Sequence, residues 1–257
     1  MKRTLLVIPH YNDTERLKPF LAELLSGLSG HISILISDDG STRQEREKLL
    51  SIYEKSRIQP GTSTLDLLPP IFTSNNTGKG GAIIRGWEHR EGFHQLAFVD
   101  ADGAVVAGEI MRAEAFFNSG KTGADALFCS RVKMLGRTVS RSLKRHLSGR
   151  VFATLVSIAG NVPAYDTQCG LKIIKTAAYE KVRPYLQTEG FSFDVELLLL
   201  LLEQGFEVEE FPVDWHDVKG SKVNLLKDSL QMTLEVFRIK RRIWKRRKTA
   251  VTGIKQS

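Results

Sequence analysis

Cysteine is nearly absent: Cys129 and Cys169 are the only two in 257 residues. Two residues so far apart exclude a disulfide framework and a cysteine zinc site, and both read as small buried apolar side chains. Long hydrophobic runs are missing too. The longest, the leucine-rich stretch 191–202, is too short to cross a bilayer, and no charged-then-apolar leader opens the chain, so a soluble cytoplasmic protein is expected. There is no internal repeat and no low-complexity segment. Most of the chain also lacks a charge excess. The formal net charge is +8, but Arg238 to Lys248 holds eight basic residues and no acidic one; the other 29 basic residues are matched by 29 acidic ones. The basic character therefore belongs to a tail. With Ile243 and Trp244 interleaved, that tail suits an anionic membrane surface, a nucleic acid or a solvated helix end. A neutral body with acids clustered at strand ends argues against nucleic acid.

With 42% hydrophobic residues, the chain can bury a substantial core. The expected organisation is one main α/β domain over 1–222 and an amphipathic basic helix over 223–257. Apolar β-type runs at Thr4 to Pro9, Ile32 to Ser37, near Ile71 and up to Val99 alternate with helical stretches, which predicts a parallel sheet. Ligands collect at the carboxyl ends of such strands. Pro9-His10-Tyr11-Asn12, Asp38-Asp39 and Asp100 to Asp102 all fall there and should meet in one crevice. Later strands are expected at Leu171 to Ile174 and Phe206 to Trp215. In the last helix Leu226, Leu230, Leu234 and Phe237 share one face. That face should pack on the body and leave the basic end protruding.

The densest chemistry lies at Phe98-Val99-Asp100-Ala101-Asp102-Gly103, a strand-like run ending in two carboxylates one residue apart. Side chains two apart on extended chain share a face. Carboxylate oxygens are what Mg2+ or Mn2+ takes, usually with substrate phosphates completing the shell, so Asp100 and Asp102 are candidate metal ligands. Taken alone the pair also fits a turn or a helix cap. Gly78-Lys79-Gly80-Gly81 opens another helix. Backbone N–H groups and the helix dipole favour phosphate there; otherwise Lys79 is an exposed lysine in a loop.

Eight strings in register resemble the family 2 inverting glycosyltransferases of the nucleotide-diphospho-sugar transferase fold, and among them the dolichyl- and polyprenyl-phosphate sugar synthases, particularly the dolichyl-phosphate glucosyltransferases. They are Pro9-His10-Tyr11-Asn12, Asp38-Asp39-Gly40-Ser41, Gly78-Lys79-Gly80-Gly81-Ala82, Asp100-Ala101-Asp102-Gly103, Ser130-Arg131, Asp166-Thr167-Gln168-Cys169-Gly170, Phe193-Asp194-Val195-Glu196-Leu197 and Gly220-Ser221-Lys222. The resemblance implies a GT-A fold, a mostly parallel central sheet flanked by helices. It also implies an enzyme that moves a hexose, glucose favoured, from a nucleotide-diphosphate sugar to a polyprenyl or dolichyl phosphate. UDP-glucose is the favoured donor, with GDP-mannose open.

On that resemblance the donor would be bound by Pro9, Tyr11, Asn12, Asp39, Lys79, Asp100, Ala101 and Asp102, the last holding the metal most directly. Asp39 equally reads as the cap of the helix that follows it. The reaction would be one in-line displacement at the anomeric carbon. Asp166, with Gln168 beside it, is the candidate base or acceptor-orienting residue, or else a turn residue. Arg131, Arg141, Arg145 and Lys222 look like phosphate-binding groups, though Arg141 and Arg145 also fit a basic solvent-facing helix. Glu196 could serve the site or cap a helix. A sugar hydroxyl must lose a proton to a positioned base, whereas a phosphate acceptor is already largely an oxyanion. The second reading keeps the chemistry with a glycan or lipid-linked saccharide hydroxyl as acceptor. A third is non-enzymatic, membrane or nucleic-acid binding through the tail. The first strand lacks the glycine- and arginine-rich loop of the pyrophosphorylases. Eukaryotic relatives of this kind carry an N-terminal membrane anchor and many bacterial ones C-terminal membrane helices; neither is read here. A polyprenyl acceptor then implies peripheral contact with an anionic membrane, each basic residue near the leaflet contributing about 1 kcal/mol.

Overall fold

The run Thr4–His10 (β1) is apolar at successive positions, and five of its seven residues in a row are buried, the pattern of a strand covered on both faces. In the computed structural model, which describes residues 3–58, 66–132, 138–140, 166–216, 218 and 225–254, β1 lies inside an eight-stranded sheet. It pairs in parallel with Ile32–Asp38 (β2) on one side and Gln95–Val99 (β5) on the other. Asp66–Leu67 (β3) and Ile71–Phe72 (β4) both join β2. Beyond β5 come Leu171–Lys175 (β8), Ala126–Ser130 (β6) and Val208–Pro212 (β9). Val139–Ser140 (β7) and Trp215–His216 (β10) form a separate parallel pair. The strand expected from Phe206 to Trp215 is thus two strands belonging to different sheets.

The sheet is mostly parallel, as expected; among its described strands only β8 runs antiparallel, to both β5 and β6. The segment 166–170 lies at the carboxyl end of β5, where Gly170 O accepts the Asp100 N–H at 2.9 Å, and β8 enters the sheet from there. Reversal of this one strand is what brings the 166–170 loop to the Asp100–Asp102 edge.

Side chains alternate between two cores. Leu6, Ile8, Ile34, Ile36, Ala97 and Val99 meet Thr14–Gly27 (α1), Arg43–Ile58 (α2) and Ala107–Asn118 (α4); Leu5, Val7, Leu35, Leu96 and Phe98 meet Lys79–Trp87 (α3), Thr176–Val182 (α5) and Phe193–Glu203 (α6). Cys129 and Cys169 are both free and buried, as their rarity suggested.

The last helix, Leu225–Ile254 (α7), is turned about half a revolution from expectation. Val236 and Ile239 are fully buried, whereas Leu234 and Phe237 are 52% and 56% exposed. The side chains of Leu226 and Leu230 lie outside the described residues. The cause is α6, whose carboxylates draw the basic residues inward. Arg242 sits 2.5 Å from Glu196, and Arg246 pairs with Glu203. The basic end is thereby partly packed on the body instead of protruding. Among the described residues no helix is long and apolar enough to cross a membrane.

Candidate active site

The carboxyl ends of β1 and β2 are joined by buried polar contacts. His10 Nδ1 lies 3.0 Å from Asp38 Oδ2, and Asp38 Oδ1 accepts the Ser41 N–H at 3.1 Å. Burial opposes ionisation of Asp38, but His10 and Ser41 outweigh it and hold the carboxyl below its usual range. Asn12, in the left-handed region at φ 49°, accepts the Thr42 N–H at 2.8 Å and donates its own N–H to Ser41 Oγ at 2.8 Å. Pro9 stays within β1 opposite Ser37, and Tyr11 projects beside it as an exposed ring. This leaves an aromatic face open for stacking.

Asp39 does not cap α2; Thr42 Oγ1 accepts the Glu45 N–H there. Asp39 instead reaches across to the turn before α3, accepting the N–H groups of Thr77 at 3.1 Å and Gly78 at 2.6 Å. Arg85 closes on the same carboxylate. Gly78 has φ 101°, and a Cβ there would lie 2.7 Å from Glu189 O. Only glycine fits that position.

Lys79, the next residue, lies 2.7 Å from Asp100 and 3.8 Å from Asp194. Burial works against its charge, but the two carboxylates outweigh it and keep the ammonium firmly protonated. Behind it Lys172, 1% exposed, reaches Asp194 at 2.9 Å and donates to Thr167 O at 2.7 Å and to Cys169 O. Neither Lys172 nor Arg85 stood out in the sequence, although a lysine inside the apolar run of β8 was a usable signal. Glu196 caps no helix; its Oε2 accepts the N–H groups of Gln187 at 2.9 Å and Thr188 at 2.6 Å.

Burial raises the Asp102 carboxyl above its usual range, and the neighbouring Asp100 charge raises it further. Two carboxylates that repel each other form a hard-oxygen donor set that a divalent cation relieves, so Asp100 and Asp102, with the half-buried Ala101 between them, fit such an ion. No group of three or more potential ligands occurs among the described residues. Substrate phosphates usually complete such a shell.

On the other side, Arg131 grips Asp166 with both prongs of its fork, Nε to Oδ2 at 2.6 Å and Nη2 to Oδ1 at 2.8 Å, while its backbone N–H donates to Oδ2 at 2.9 Å. Burial opposes the charge, but Arg131 dominates and holds the Asp166 carboxyl at about 2. Gln168 Nε2 is buried and finds no hydrogen-bond partner among the described residues. Gly170 backs directly onto Asp100, so that a Cβ there would collide with the carboxylate. Gly170→Ala should therefore displace the Asp100 pair by several tenths of an ångström or more. Turnover is expected to fall roughly 100-fold with the melting temperature nearly unchanged, as kinetics and thermal melting would read. Arg141, Arg145 and Lys222 lie outside the described residues.

Residues 5–183 match the family model described as Glycosyl transferase family 2. The chain belongs to that family. This glycosyltransferase is 36% identical over 256 residues to the dolichyl-phosphate beta-glucosyltransferase of Saccharomyces cerevisiae, spanning 91% of this chain and 73% of the relative. It is 28% identical over 253 residues to the Homo sapiens dolichyl-phosphate beta-glucosyltransferase, spanning 94% and 76%. Among solved structures, glucosyl-3-phosphoglycerate synthase from Mycobacterium tuberculosis, in complex with Mn2+, UDP and phosphoglyceric acid, matches with TM-score 0.65 at 12% identity over 94% of this chain and 78% of that one. A mannosyltransferase from Pyrobaculum calidifontis, in complex with GDP-Man and Mn2+, matches with TM-score 0.59 at 13% identity over 86% of this chain and 58% of that one. The fold is GT-A, as the sequence resemblance implied.

Proposed function

We propose that this glycosyltransferase moves glucose, with inversion, from UDP-glucose to a polyprenyl or dolichyl phosphate. The names of its relatives support the sugar and the acceptor, and one observation favours a phosphate acceptor over a hydroxyl. A hydroxyl needs a positioned base with a pKa near working pH. Asp166 is no such base, because Arg131 occupies both its oxygens and holds it at about 2. A lipid monophosphate, with a second pKa of about 6, needs none.

The geometry supports the following roles for the described residues. Tyr11 offers the base a stacking face, with Pro9 and Asn12 shaping the pocket beside it. Asp39 holds the Thr77–Gly78 turn so that Lys79 faces the diphosphate. Asp100 and Asp102 would hold Mg2+ or Mn2+, which when bound supplies positive charge against the negative charge growing on the leaving diphosphate. Lys79, released from Asp100, donates to the same oxygens, while Asp194 keeps its ammonium charged. Asp166 orients Arg131 toward the acceptor phosphate, and Gln168, whose backbone N–H donates to Asp166 Oδ1 at 3.2 Å, keeps a spare Nε2 donor. Arg141, Arg145 and Lys222 are assigned to that phosphate from their place in the sequence. A lipid acceptor puts the reaction at a membrane surface, which we take to be the cytoplasmic face.

Calorimetric titration with UDP, GDP, UDP-glucose and GDP-mannose, each with and without Mn2+, tests the donor half. Mn2+-dependent binding of the uridine nucleotides alone is expected. Preference for GDP-mannose, or no binding of any of the four, would overturn it.

A further inference from the structure

Helix α7 presents two faces of different character. The inner one is bolted down: Val236 and Ile239 are fully buried, and Arg242 holds Glu196 at 2.5 Å and Thr188 Oγ1 at 3.1 Å. At 100° per residue the opposite face carries Leu234, Phe237 and Trp244, 52%, 56% and 54% exposed, with the exposed cations Arg238, Arg241 and Lys245 among them. Lys248 Nζ lies 3.9 Å from the centre of the Trp244 ring, extending the stripe to a length of about 21 Å along the axis. The sequence suggested that Leu234 and Phe237 would be core. Their outward position turns a merely basic surface into an amphipathic one.

The charge selects the occupant. The outward face carries Arg238, Arg241, Lys245 and Lys248, and no acid occurs from 238 to 248, so a second copy of this chain would set like charges face to face. A nucleic acid would meet the cations but leave Leu234 and Phe237 without a function. An anionic bilayer accommodates both kinds of side chain, apolar groups in the headgroup–acyl boundary, a tryptophan at the interface and cations on the headgroups. We propose that the outward face of α7 docks this enzyme on an anionic membrane by inserting Leu234, Phe237 and Trp244. Binding then has an apolar component that survives salt, beyond the electrostatic attraction of the basic run. The docked helix also sits close to the chemistry. Arg242 grips Thr188, and the next residue, Glu189, accepts the Gly81 N–H at 2.9 Å in the glycine turn that carries Lys79. The surface is argued without reference to the acceptor, so it stands or falls separately from the proposed reaction.

The test uses the full chain with vesicles of phosphatidylcholine, alone or mixed with phosphatidylglycerol, containing no polyprenyl phosphate and no nucleotide. Trp87 and Trp215 are buried, so a blue shift of tryptophan emission reports on Trp244. Expected are cosedimentation with the anionic vesicles, a blue shift, and a fraction still bound at about 1 M salt, where charges are screened beyond about 3 Å. The variant Leu234→Ser/Phe237→Ser should weaken binding at least about tenfold and lose the salt-resistant fraction, with UDP-glucose affinity unchanged. No binding to anionic vesicles, or binding without a blue shift that the double variant leaves intact, would overturn the proposal. So would self-association without vesicles that the double variant abolishes, which would make the face a dimer contact.

Discussion

Replacing Asp102 with Asn should abolish Mn2+-dependent binding of the nucleotide sugar and lower turnover by roughly three orders of magnitude, the several kcal/mol that a bound cation contributes to a developing anion. Stability should move the other way. Burial and the Asp100 charge raise the Asp102 carboxyl in the folded protein, so its ionised form destabilises the fold at neutral pH. Asn removes that charge and keeps the shape. A small rise in melting temperature is expected at pH 7, and it should vanish as pH falls below about 4, where the unfolded carboxyl is also protonated. Lost binding with gained stability distinguishes a ligand-holding carboxylate from a turn residue, whose loss would lower stability. Calorimetry with and without Mn2+ and melting from pH 3 to pH 8 read both effects.

The Arg131→Met variant should lose about 3 kcal/mol of stability and nearly all transfer to the acceptor while still binding UDP-glucose. The side chains of Arg131 and Asp166 are 21% and 11% exposed, so removing the cation leaves a mostly buried carboxylate without its fork. The pH dependence identifies the pair. Asp166 titrates at about 2 in the folded protein and at about 4 when unfolded, so its contribution is complete above about pH 4 and is lost as pH falls toward 2. Urea unfolding of the parent should show that loss across this window, and Arg131→Met should not. Asp166→Asn tests the assignment of roles. Removal of a general base costs about 100- to 10,000-fold in turnover. An orienting residue shows instead a raised KM for the acceptor and a modest loss at saturation.

The gathering of polar residues at the strand ends was legible in the sequence because local pattern locates those strands. The run Thr4 to Pro9 became β1, one residue longer, and Asp100 and Asp102 follow β5 as the apolar run indicated. What escaped depends on contacts between distant segments. That Asp39 would hold Thr77 and Gly78 rather than cap α2 follows from the packing of β2 against α3, 38 residues on. The reversal of β8 leaves no trace in its own five residues, since parallel and antiparallel strands buried on both faces carry the same apolar pattern. Helix α7 has apolar residues on two faces, and periodicity alone selected Leu234 and Phe237. The carboxylates Glu196 and Glu203 on α6 decided for Val236 and Ile239. Arg131 and Asp166 were each singled out, but only the structure showed them to be one unit, and that pairing favours the acceptor-orienting reading of Asp166 over the base.

The most direct measurement is of the product. The enzyme is incubated with UDP-glucose labelled in the sugar, Mn2+ and a polyprenyl phosphate in detergent, beside the same polyprenol without phosphate and a glycan acceptor. The account predicts label in the polyprenyl phosphate alone, as a β-linked glucosyl phosphate that mild acid releases as free glucose. Label in the polyprenol or the glycan, or an α-linked product, would contradict it.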